Sequence, residues 1–77
     1  MIETYKIPRI SIAACRVNAR LKQRELAEKV GVATLTVSNW ESGKSEPNLS
    51  QLRIISELSG IPMDFIFVDR ESKNTGL

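Results

Sequence analysis

The stretch Gln23–Lys44, QRELAEKVGVATLTVSNWESGK, decides the fold of this chain. Leu26, Ala27 and Val30 recur at a spacing that lines one face of a helix, which predicts a helix from Gln23 to Val30. Gly31 comes next, and glycine readily adopts the left-handed conformation in which many helices close. Val32 and Ala33 form a short connection. Val37 and Trp40 then follow at i, i+3 and predict another helix over Thr34–Ser42, stopped by Gly43. Two short helices joined by a turn that begins at glycine make an αα-hairpin, an arrangement that serves many ends.

The side chains narrow the choice. Ala27 is small where two steeply crossed helices must approach closely, and Val37 with Trp40 can lock the later helix onto the body of the domain. Trp40 therefore reads as core and not as a stacking platform. The opposite face carries Thr34, Leu35, Ser38 and Asn39. All four are uncharged and three can hydrogen-bond, so the face can enter a major groove and meet base edges without repelling phosphate. Leu35 is exposed on this reading, which suits either a thymine methyl or a protein contact.

Outward from this hairpin, Ser11 is a suitable N-cap for a first helix ending near Arg20. Ile12, Cys15 and Ala19 form its buried stripe, with Arg16 at the edge. Residues 1–9 lack periodicity, and Pro8 blocks a helix there, so they are expected to form an N-terminal arm. Beyond the hairpin, Lys44–Pro47 is a polar loop. Asn48 and Gln51 then make a capping-box pattern for a helix over Leu49–Ser59 that buries Leu52, Ile55 and Leu58. Gly60 ends that helix. Pro62 opens a short fifth helix reaching about Phe67, with Met63, Ile66 and Phe67 as apolar contacts. The expected organisation is thus an arm at 1–9, one domain at 10–68 and a polar tail at 69–77.

Composition limits the chemistry. The chain has 77 residues, enough for one domain, and a domain of this size buries only about 60% of its unfolded surface. It contains no histidine and one cysteine, Cys15, so imidazole catalysis, internal disulfides and cysteine metal clusters are all excluded. Cys15 reads as a small buried hydrophobe. Neither an enzyme nor a cofactor or metal site is expected. No apolar run approaches the roughly 18 residues of a membrane span, and no signal peptide is evident, so the expected location is cytoplasmic. Net charge is +2, with nine Lys/Arg against six Asp/Glu through Gly60 and two against three after it. The basic excess therefore lies in the body that carries the hairpin.

The residues Gln23–Gly31, Q-x-x-L-A-x-x-V-G, and Val37–Lys44, V-S-x-W-E-x-G-K, closely resemble the phage repressor and Cro-like helix-turn-helix family of transcription regulators. The resemblance covers about Ile10 to Phe67. It implies an all-α, compact five-helix domain of the lambda-repressor type whose second and third helices read DNA. It further implies that Thr34, Leu35, Ser38 and Asn39 face bases, and that Gln23, Lys44 and Ser45 touch phosphates. Lys22 and Arg24 are candidate phosphate contacts or simply a solvated face, as are Lys6 and Arg9. Arg16 and Glu41 match a partly buried ion pair tying the first helix to the third.

The sequence also departs from the family pattern. Lys22 and Ala33 stand where hydroxyl caps are usual, and Thr34 is then a candidate cap for the third helix. Arg20 replaces a frequent glycine, so the turn there is expected to avoid the left-handed region. The implied function is a sequence-specific double-stranded DNA-binding regulator, a repressor, that puts its third helix in the major groove. It would act as a homodimer on a palindromic operator, in a bacterial or phage setting and associated with the nucleoid. Ile61, Met63, Phe65 and Phe67 are candidates for a pairing surface. The alternative is a protein-interaction module, antitoxin-like or adaptor, that keeps the fold with weak or no DNA binding.

Overall fold

The computed structural model describes residues 9–67. The expected arm and tail lie outside them, apart from Arg9. In chain order the elements are β1 (Ile10–Ser11), α1 (Ile12–Asn18), α2 (Gln23–Val30), α3 (Thr34–Ser42), α4 (Leu49–Ser59), a single 3-10 turn (Met63–Phe65) and β2 (Ile66–Phe67). The architecture is all-α with a helix-turn-helix at α2–α3, joined at its ends by one short parallel strand pair.

Local chemistry accounts for most element ends. The Ser11 hydroxyl accepts the Ala14 N–H at 3.0 Å and starts α1. At α4 the predicted capping box is formed: the Asn48 side-chain Oδ1 accepts from Gln51 N–H at 2.9 Å, and the Gln51 side chain accepts from Asn48 N–H at 2.8 Å. Gly31 has φ +90°, a left-handed value that strains a residue bearing a side chain. Its N–H and that of Val32 both donate to the Ala27 carbonyl, which closes α2 and turns the chain into α3.

The core consists of Ile12, Cys15, Leu26, Ala27, Val37, Trp40 and Ile55, drawn from all four helices. Full burial of an aliphatic side chain contributes about 1.5–3 kcal/mol, so this set holds the helices in one arrangement. Mainly α2 packs on α3 and α1 on α4. Asn18 also ties α1 to α4, its side-chain amide donating to the Ser59 carbonyl at 2.7 Å. Leu52 and Leu58, expected to be buried, are half-buried, and Ala19 is likewise half-buried.

Three further expectations are corrected. The predicted fifth helix is only the 3-10 turn. Ile66 and Phe67 then extend and pair in parallel with Ile10 and Ser11. Ile66 and Phe67 are types that favour strands, and their partner lies more than fifty residues away, beyond the reach of helical periodicity. Second, α1 stops at Asn18 instead of near Arg20. Third, Arg20 adopts the left-handed conformation, with φ +63°, that the turn was expected to avoid. It occupies the position a C-terminal glycine normally fills, and its N–H donates to the Val17 carbonyl while Leu21 N–H donates to that of Arg16.

Candidate nucleic-acid interface

The face of α3 opposite Val37 and Trp40 carries the four residues singled out from the sequence. Thr34 and Leu35 are exposed, Leu35 at 68%, while Ser38 and Asn39 are half-buried. Ala33 takes the N-cap position in extended conformation without a side-chain bond, so Thr34 is the first helical residue and does not serve as the cap. Among the described residues the side chains of Thr34, Ser38 and Asn39 have no hydrogen-bond partner, and Leu35 lies outside the hydrophobic core. Two hydroxyls, an amide and an isobutyl group therefore stand ready for an external partner.

The end of α3 sets the position of the next loop. Gly43, with φ +85°, turns the backbone so that Lys44 N–H at 2.9 Å and Ser45 N–H at 3.4 Å both donate to the Asn39 carbonyl. The backbone of the exposed Lys44–Ser45 segment is thus bonded directly to Asn39, the last residue of the α3 face. Pro47, which is buried, then leads the chain into α4.

A carboxylate fixes α2 against α3. Glu41 Oε2 accepts from Arg16 Nε at 2.6 Å, and Oε1 accepts from Arg16 Nη2 at 3.2 Å and from Gln23 Nε2 at 3.0 Å. Arg16 Nη1 also donates to the Leu21 carbonyl at 3.1 Å, in the turn between α1 and α2. The side chains of Arg16 and Glu41 are 19% and 11% exposed, so the pair is largely shielded from water. The hydrogen bond to Glu41 pushes the Arg16 guanidinium still further above its ordinary pKa. One carboxylate therefore joins three helices. Because a carboxylate only accepts, the Gln23 group facing it is the NH2, which keeps a second hydrogen for another acceptor.

Gln23 is the first residue of α2, between the exposed Lys22 and Arg24. Lys22 precedes the helix and its ammonium can only donate, so it cannot cap. Glu25 supplies the return half of a capping box, accepting Lys22 N–H at 2.7 Å. Lys22, Arg24, Lys44 and Ser45 have no side-chain partner among the described residues. Sequence reasoning missed the Gln23–Glu41 bond, since the two residues lie 18 apart on different helices. Among the described residues no group of metal-ligating side chains converges, and no helix is long and apolar enough to cross a membrane.

This assembly of core, glycine turn and uncommitted α3 face defines a helix-turn-helix domain of the Cro-like class. The helix-turn-helix family model matches residues 12–66, and the chain belongs to that family of transcription regulators, which is not an enzyme family. It is 36% identical over 56 residues to the HTH-type transcriptional activator BcrR of Enterococcus faecalis, covering 73% of this chain and 28% of that protein. It is 31% identical over 52 residues to an SPbeta prophage-derived uncharacterized HTH-type transcriptional regulator, YonR, of Bacillus subtilis (strain 168). That match covers 68% of this chain and 48% of the relative. The chain thus spans less than half the length of either relative. No solved structure gives a significant match.

Proposed function

We propose that this chain binds double-stranded DNA sequence-specifically as a transcription regulator, with α3 in the major groove. The observation that carries the reading is the α3 face of Thr34, Leu35, Ser38 and Asn39, whose polar groups have no internal partners among the described residues. Phosphate contacts from Gln23, Lys44 and Ser45, with Lys22 and Arg24 beside them, would set the register of the domain. The α3 side chains would then read bases. A single domain of this size makes a small interface, so a homodimer on a palindromic operator is the proposed binding form, with half-sites about 34 Å apart.

Repression is the proposed mode of action, because occupying a promoter requires only DNA contacts. Activation needs a further surface for the transcription machinery. BcrR is by name an activator, so the sign is tested directly: a reporter carrying the selected operator across its promoter should fall in expression when the protein is supplied. The proposed setting is the cytoplasm of a bacterial cell, on the nucleoid.

Binding itself is tested by titrating operator and random duplexes with three variants. Asn39→Ala should lower discrimination between the two by about 1–3 kcal/mol. Gln23→Ala and Lys44→Ala should weaken both duplexes alike. Equal losses on both duplexes in all three variants would remove Asn39 from base reading. Failure of the wild-type chain to bind any duplex would favour the protein-interaction module, for which the exposed Leu35 is the specific observation.

A further inference from the structure

Guanine is most often read by the bidentate fork of arginine, or by lysine, on its N7 and O6. The α3 helix, TLTVSNWES, contains neither residue. Its one charged side chain, Glu41, is turned inward and occupied by Arg16 and Gln23. Arg16, the cation nearest this helix by bonding, spends its guanidinium on Glu41 and the Leu21 carbonyl. What α3 does present is an amide at Asn39 without an internal partner among the described residues, and an apolar side chain at Leu35, one helical turn earlier.

Those two groups have distinct preferences. A carboxamide matches adenine, donating to N7 and accepting from N6–H. An exposed leucine gains most from thymine, whose 5-methyl is the only apolar group on the major-groove edge of the four bases. Thr34 and Ser38 tolerate several bases and add little discrimination. We infer that Asn39 and Leu35 read A·T pairs, with adenine under Asn39 and a thymine methyl against Leu35. This inference rests on the DNA-binding reading above. It commits that reading to an operator with A·T pairs at the positions read by Asn39 and Leu35.

The test begins with selection of bound duplexes from a random library by the wild-type protein, followed by atom-level changes in the enriched site. Replacing the adenine under Asn39 with 7-deaza-2′-deoxyadenosine removes the N7 acceptor. It should weaken wild-type binding several-fold, within the roughly 5- to 150-fold span of a lost bidentate contact. Replacing the thymine against Leu35 with deoxyuridine removes one methyl and should weaken binding about 3- to 5-fold. Asn39→Ala should abolish sensitivity to the first change and Leu35→Ala sensitivity to the second. Leu35 is exposed and neither residue belongs to the buried core cluster, so both variants keep that core intact.

The outcomes separate the two readings. No enrichment of any duplex would sink DNA reading and this inference together. An enriched site with guanine at positions whose preference disappears in Asn39→Ala or Leu35→Ala would overturn the inference alone. Indifference of the wild type to both modified bases would also overturn it alone.

Discussion

At the scale of single residues, Arg20 is the clearest conflict between composition and backbone. Its φ of +63° lies in the region where a β-carbon is penalised by about 1–2 kcal/mol. Arg20→Gly should therefore stabilise the domain by about 1 kcal/mol, since the extra freedom glycine gives the unfolded chain offsets part of the relief. Urea unfolding measures this, and a lowered midpoint would show that the arginine side chain repays its strain. Cys15 gives a second prediction. It is fully buried, and burial holds its thiol above the ordinary pKa even though a hydrogen bond with Ser59 acts the other way. The folded state thus keeps the proton to higher pH than the unfolded state. Stability from this group is complete below the ordinary thiol pKa of about 8.5 and is lost as pH rises through the folded value. Cys15→Ser should flatten that alkaline decline, and in the wild type a maleimide at neutral pH should label Cys15 only as fast as the domain opens.

At the scale of elements, the three-helix junction at Glu41 combines attraction with desolvation. Removing one partner of a shielded ion pair leaves the other charge uncompensated, so Arg16→Ala or Glu41→Ala should each cost roughly 3 kcal/mol. Replacing both by apolar groups, as in Arg16→Met with Glu41→Leu, should recover most of that loss on thermal unfolding. If the double variant is no more stable than the singles, the junction holds the helices by more than charge balance. How far elements were legible from sequence follows the same division between local and distant causes. The four helices were readable because their signals lie within a few residues: the Ser11 cap, the Asn48–Gln51 box, and the glycines at 31, 43 and 60. The strand pair was not, because Ile66 pairs with Ile10, more than fifty residues away in the chain. The family resemblance supplied the Arg16–Glu41 pairing, but nothing in spacing pointed to the bond that adds Gln23. The α3 face was legible as a pattern of neutral residues; that Thr34 is free of a capping role became visible only with the extended Ala33 in place.

At the scale of the whole molecule, charge separates a polyanion-binding domain from one of the same fold that binds protein. The chain carries only +2 overall, too little for net attraction alone to hold DNA at moderate salt. Any strong salt response must therefore come from cations placed on phosphates. Lys22, Arg24 and Lys44 are the three cations proposed above for phosphate contacts. If all three neutralise a phosphate, log K should fall against log salt with a slope of about −2.7 for one copy and about −5 for a dimer. Lys44→Ala should reduce the slope by about 1 per copy. Gln23→Ala behaves differently, because its amide is neutral and displaces no counterion: affinity should drop while the slope stays unchanged. Binding titrations of one operator duplex across a salt series measure all three quantities. A flat wild-type response would rule out phosphate neutralisation and leave the α3 face to a protein partner. A slope altered by Gln23→Ala would mean that losing this link to Glu41 also displaces the cations flanking it on α2.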